Sequence, residues 1–214
     1  YMQVYFHPAT RAMEVLLQNL LKRARTIYQD QKEYFQLTSP RLIPFFEEEV
    51  TIQDYLNLDD GVMNTYFQVW MDSPDTILSD LAQRYINRKV FKSILFTEDK
   101  RKDLAILEKL IKEVGFNPTY YTAIHQNFDL PYDIYRPELE KPRTQIEMIR
   151  KDGSLAELSQ LSPLVAALAG TRYGDNRFYF PKEMVEVNGL FSKQVEEFTS
   201  YITNDYFTGE TDVH

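Results

Sequence analysis

The feature that most limits what this chain can fold into is one broad apolar stripe near its start. Met13, Leu16, Leu17, Leu20, Leu21, Ala24, Ile27 and Tyr28 recur at i, i+3, i+4 and i+7, the spacing that gathers side chains on one face of an amphipathic helix. Pro8 suits the first helical turn, where no backbone N–H is needed, so His7 falls at or near the N-cap. The short lead-in Val4-Tyr5-Phe6 then ends over the positive pole of the helix, where outward N–H groups favour anions. The pattern alone gives a buried helix with an aromatic lead-in, and the rest of the chain is read around it.

Composition enters through what it excludes. The 214 residues carry a formal net charge of -8, which disfavours broad electrostatic binding to nucleic acid or to an anionic membrane surface. The basic residues between Arg88 and Lys112 keep nucleic acid only as a third choice. The chain has no cysteine, so disulfides and cysteine-ligated metals are excluded, which fits a reducing, cytoplasmic setting. No apolar run approaches the roughly 18 residues of a spanning helix, and no signal-peptide pattern opens the chain. Aromatic residues make up 14%, which suits large apolar contacts, including contacts between subunits. The opening Tyr-Met-Gln is a poor natural beginning, and the expectation is a fragment of a longer polypeptide.

Residues 30 to 50 contain Ser39-Pro40, Ile43-Pro44 and the run Glu47-Glu48-Glu49, and they read as a connector. Thr51 to Asp54 has capping-box spacing with Asp in the Glu position, which predicts a short helix through Leu58. Asp59-Asp60-Gly61 opens another helix, with Val62, Met63, Tyr66, Phe67 and Trp70 on one face. Ser73-Pro74-Asp75 caps a third, whose buried stripe is Ile77, Leu78, Leu81, Ala82 and Tyr85. A strand from Phe91 to Phe96 follows, then a helix from Asp99 to Val114 stopped by Gly115. Its lysines read as a solvated face. Strand signals lie at Tyr120–His125 and Thr144–Ile149, and a tight turn at Lys151–Ser154. A short helix from Ser162 to Ala169, a last strand Arg177–Phe180 and a tail helix within 191–207 complete the chain. The expected fold class is mostly α, a helical bundle over 1–90, followed by a smaller α+β region over 91–214.

Familiar catalytic signatures are missing: no phosphate-binding G-x-x-x-x-G-K-[ST], no dinucleotide G-x-G-x-x-G, no H-E-x-x-H and no G-x-S-x-G. The three histidines, His7, His125 and His214, are far apart and suggest no preformed metal site. His125 reads as an ordinary strand residue and His214 as a mobile terminus. His7 is balanced between a helix-capping imidazole and a ligand-facing one.

The run Val4-Tyr-Phe-His-Pro-Ala-Thr-Arg-Ala-Met-Glu-Val-Leu-Leu17, continued by Leu20-Leu-Lys-Arg-Ala24, resembles the segment that follows the catalytic core in HD-domain phosphohydrolases. The similarity is greatest to the deoxynucleoside triphosphate triphosphohydrolase branch, which includes bacterial enzymes and the mammalian SAM- and HD-domain enzyme. Asp54-Tyr-Leu-Asn-Leu-Asp-Asp-Gly61, Ile86-Asn-Arg-Lys-Val-Phe-Lys92 and the stretch around Tyr135, Arg136 and Arg143 match in order and spacing.

The resemblance implies the C-terminal part of such an enzyme, adjoining an HD core on the N-terminal side that would hold the divalent metal, Mg or Mn. None of the family's His…His-Asp…Asp ligands is in this chain, so no metal is expected to be held by it and it alone is expected to be inactive. The implied reaction of the parent cleaves a deoxynucleoside triphosphate into deoxynucleoside and triphosphate. The resemblance places Tyr5 against the substrate's sugar, with His7 beside it. It makes Arg136, Lys141 and Arg143 candidates for effector phosphates, since guanidinium forks match phosphate oxygens. It also implies a homo-oligomer, tetramer or dimer, linked to nucleotide binding. Pro8 departs from relatives with a lysine after the histidine, and proline offers neither charge nor hydrogen bond. The alternative from another class is a non-catalytic helical module that binds a protein through its Tyr/Phe-rich face.

Overall fold

The computed structural model describes residues 8–129, 147–168, 173–186 and 191–203. The chain is mostly α with a small α+β region, and its contacts divide it into two compact units. The first contains residues 1–124 and 177–214, the second residues 125–176.

The first unit is built on α1 (Pro8–Tyr28). Ala12, Val15, Leu16, Leu20 and Ala24 on this helix are all buried, and α1 packs chiefly against α6 (Thr76–Ile86), which packs in turn on α5 (Asp60–Trp70). Both partners start where the chain supplies a cap. The Asp59 carboxylate accepts from the Val62 N–H at 2.8 Å, and Asp75 accepts from the Leu78 N–H at 2.8 Å, satisfying donors that a helix start leaves over. α4 (Ile52–Leu56) opens with the expected capping box between Thr51 and Asp54. At the other end of α6, Arg88 takes φ 54, a left-handed conformation that stops the helix where no glycine is available.

Residues 30 to 50 are more structured than a connector. They contain α2 (Lys32–Thr38), a 3-10 turn over Pro40–Leu42 and α3 (Ile43–Glu47). The cause is aromatic. Phe35 on α2 is fully buried, with its ring 5.9 Å from those of Tyr28 and Trp70 and 5.5 Å from Phe46. Apolar surface buried across the bundle holds short helices that would not persist alone.

Beyond α6, β1 (Lys92–Leu95) pairs antiparallel with the end of β5 (Tyr173–Phe180), Lys92 opposite Phe180 and Leu95 opposite Arg177. The strand order of this sheet is β1-β5-β2, with β2 spanning Ala123–Asp129. A second core in the first unit joins Leu104, Leu107 and Ile111 of α7 (Leu104–Glu113) to Phe178, Phe180, Met184 and Phe198. The helix expected from Asp99 begins instead at Leu104, after a 3-10 stretch over Glu98–Asp103, because that stretch holds no apolar side chain to bury. Gly115 ends the segment at φ 107, where a side chain would be strained.

Tyr120 and Tyr121 lie in α8 (Pro118–Tyr121) rather than in a strand. Asn117 caps this turn, accepting from the Thr119 N–H at 3.1 Å, and Pro118 fills the first helical position. α11 (Ser192–Thr203) packs on α7, with Phe198 in the core that α7 helps to form, and Val195 is also buried.

In the second unit, β3 (Glu147–Ile149) pairs antiparallel with β4 (Leu155–Glu157) around the expected Lys151–Ser154 turn. α9 (Leu158–Leu161) and α10 (Pro163–Leu168) follow. Neither β4 nor α9 was expected from the sequence.

Candidate functional site

Tyr5, His7, Arg136, Lys141 and Arg143 lie outside the described residues. What the structure shows is how α1, the helix that follows Tyr5 and His7 in the chain, is held. Arg23 donates to both oxygens of Asp75, at 3.0 and 2.5 Å, and its guanidinium lies 5.0 Å from the centre of the Tyr120 ring. Asp75 is also the cap of α6, so one carboxylate joins α1 to the start of α6. Asn19 donates to the Thr122 carbonyl at 3.4 Å, and Lys22 to the Thr119 carbonyl at 3.2 Å. These contacts fix the C-terminal half of α1 to α6 and α8. At its N-terminal turn Arg11 pairs with Glu14 at 2.6 Å.

Burial works to raise the pKa of Asp75, but the Arg23 guanidinium and the Leu78 N–H outweigh it and hold the carboxyl below its usual range. A carboxyl with a depressed folded-state pKa contributes stability above its unfolded value and loses it as pH falls through the folded one. Asp75→Asn keeps a capping oxygen but removes the charge. The variant is expected to be less stable than the parent by about 1 kcal/mol near neutrality. Thermal melts of the two proteins should converge as the pH falls below about 4.

A second polar cluster ties α6 to α8 and to the 3-10 turn Lys182–Val185. Arg84, only 6% exposed, donates to both oxygens of Glu183 at 3.0 and 2.8 Å and to Asp80 at 2.7 Å. The Tyr121 hydroxyl donates to the same Asp80 oxygen at 2.7 Å, and the guanidinium lies over the rings of Phe116 and Tyr121. Burial works against the charge on Arg84, yet Glu183 and Asp80 hold it protonated. Burial, then the Asp80 carboxylate, pushes the Tyr121 phenol well up, so it donates and is no general base near neutrality. This cluster was missed in the sequence; the one local signal that could have found part of it is the Asp80–Arg84 spacing of four on a helix. Glu183, 99 positions further on, had none.

Between α1, α5 and α6 lies a half-open groove of about 340 Å³ lined by Leu17, Leu21, Asp60, Met63, Asn64, Phe67 and Tyr85. Its apolar residues belong to the three stripes read in the sequence; that they are left half uncovered where the helices meet is not legible there.

Among the described residues, no group of three or more His, Asp or Glu side chains could hold a metal ion. Asp80 and Glu183 are both turned to Arg84. Among the same residues, no helix is long and apolar enough to cross a membrane.

No family model matches the chain. It is 39% identical over 186 residues to the uncharacterized protein YwfO of Bacillus subtilis (strain 168), a match covering 86% of this chain and 43% of YwfO. Its structure is similar to that of a phosphohydrolase from Bacteroides thetaiotaomicron, with a TM-score of 0.60 and 23% identity, over 84% of this chain and 46% of that one. A hypothetical protein from Aquifex aeolicus aligns with a TM-score of 0.48 and 20% identity, over 92% of this chain and 41% of that one. The chain thus shares its fold with a part of a solved phosphohydrolase, and it spans less than half the length of each of these proteins.

Proposed function

We propose that the chain is the C-terminal portion of a metal-dependent HD-superfamily phosphohydrolase that converts deoxynucleoside triphosphates to deoxynucleoside and triphosphate. The observation that carries this reading is the fold shared with the solved phosphohydrolase over 84% of the chain. The ordered motifs from Val4 to Arg143 point to the same superfamily and, within it, to the triphosphohydrolase branch.

In this reading the chain supplies a wall of the substrate pocket, an effector-nucleotide and oligomer interface, and no metal ligands. Tyr5 packs its ring on the deoxyribose and meets the 3′-hydroxyl with its own, an aromatic body with a polar tip. His7 is placed next to it by the same resemblance, and both precede α1 in the chain. Arg136, Lys141 and Arg143 take effector phosphates, while Pro8 removes the cation that other relatives bring. The reaction forms a bond from a water oxygen to the α-phosphorus and breaks the bond from that phosphorus to O5′. O5′ leaves with a proton as the deoxynucleoside, and the triphosphate stays intact.

The test uses the full-length polypeptide with each deoxynucleoside triphosphate and Mn²⁺ or Mg²⁺, with products separated by anion-exchange chromatography. Deoxynucleoside should accumulate, and a chelator should abolish the reaction. Release of monophosphate and pyrophosphate would refute the reaction. A second reading, a non-catalytic helical interaction module, has in its favour the outward face of α4, where Ile52, Tyr55 and Leu56 are 81%, 70% and 67% exposed. Full-length protein inert toward every deoxynucleotide would favour it.

A further inference from the structure

We infer that the groove between α1, α5 and α6 is the seat of a segment of the same polypeptide outside residues 1–214, one that presents a large apolar side chain beside a lysine or arginine. The inference rests on the reading above, in which this chain adjoins further polypeptide, and it names the surface where the two meet.

Leu17 and Leu21 stand one turn apart on α1, and Met13 continues the line one turn earlier. All three are packed on the core yet only partly buried, as are Val62 and Met63 on α5 and Tyr85 on α6. The three helices therefore use their inner stripes on one another and leave an apolar strip half uncovered. Phe67 and Tyr85, with ring centres 4.9 Å apart and planes at 71°, are the aromatic part of its lining. The space, about 340 Å³, has room for a large side chain.

The polar edge of the groove selects the occupant. Asp60 and Asn64, one turn apart on α5, supply a carboxylate and an amide, and among the described residues no lysine or arginine lines the groove. A base next to the entering apolar group answers the carboxylate, whereas a nucleotide phosphate or an anionic lipid would be repelled by it. A second copy is the weaker candidate, because it would bring together two chains of net charge -8. Further polypeptide is available for the purpose: YwfO and the Bacteroides phosphohydrolase each carry more than half of their length outside the match, which covers 43% and 46% of them.

The absence of cysteine from these 214 residues gives a clean test. In the full-length polypeptide, with any other cysteine replaced by serine, Asn64→Cys is compared with Gln36→Cys, an exposed position on α2. Maleimide labelling is followed by intact mass at several protein concentrations. The expected result is labelling of Asn64→Cys at least about tenfold slower than the control, the protection of a site reached only by local opening, and unchanged on dilution. Equal rates at the two positions overturn the inference. Protection lost on dilution also overturns it, and assigns the groove to a second copy. Triphosphate release by the same samples is read separately. An active enzyme with an unprotected Asn64→Cys sinks the groove and keeps the function; a protected but inert one does the reverse.

Discussion

Trp70→Ala is expected to destabilise the protein by about 3–5 kcal/mol, the range for truncating a large aromatic in a closed core. Trp70 is fully buried, its ring centre is 5.9 Å from that of Phe35 and 5.7 Å from that of Phe67, and its indole N–H donates to the buried Ser39 hydroxyl at 3.2 Å. Truncation therefore loses apolar contact, opens a cavity between α2 and α5, and leaves a buried hydroxyl short of a donor. α2 has little else to hold it, since Phe35 is its buried side chain. Thermal unfolding followed by circular dichroism should show a midpoint lower by roughly 10 °C or more. Trp70→Phe, which keeps much of the ring, should lose distinctly less. A midpoint within about 2 °C of the parent for Trp70→Ala would mean that this cluster is not the centre of the bundle.

Arg84→Met should cost about 3 kcal/mol, the lower end for breaking a buried ion pair by removing one partner. The arginine side chain is 7% exposed, but Asp80 and Glu183 are 39% and 43% exposed, so water can take over part of what the guanidinium gave. The remaining loss comes from separating three elements: α6, α8 and the turn Lys182–Val185. Because the α8 segment also receives Asn19 and Lys22 from α1, loosening it reaches α1. The double variant Arg84→Met, Glu183→Gln should be less destabilised than the sum of the single ones, since the residual charge is gone. Strict additivity in a denaturant-melt cycle would show that Arg84 and Glu183 do not act as a pair.

Periodicity made α1, α5 and α6 legible, and capping chemistry placed the starts of α5 and α6: Asp59 and Asp75, in the stretches read as helix openings, accept the Val62 and Leu78 N–H groups. Gly115 marked its stop for the same local reason. The misses share a different cause. α2 and α3 depend on Phe35 and Phe46 meeting Tyr28 and Trp70, residues up to 35 positions apart, and local pattern cannot show such burial. Tyr120 and Tyr121 carry strand propensity, yet the Asn117 cap and Pro118 overrode it. Arg84 and Glu183 meet across the fold, 99 positions apart, so local pattern could not show that cluster. Tyr5, His7, Arg136, Lys141 and Arg143 lie outside the described residues and rest on the resemblance. The groove at Asp60 and Asn64 needed three helices in place before it could be seen.

The most direct measurement is ³¹P NMR of the full-length polypeptide turning over a deoxynucleoside triphosphate in ¹⁸O-enriched water with Mn²⁺ replaced by diamagnetic Mg²⁺. The account predicts one product set, intact triphosphate with the isotope shift on a terminal phosphorus, together with unlabelled deoxynucleoside. Orthophosphate or pyrophosphate appearing instead would contradict it.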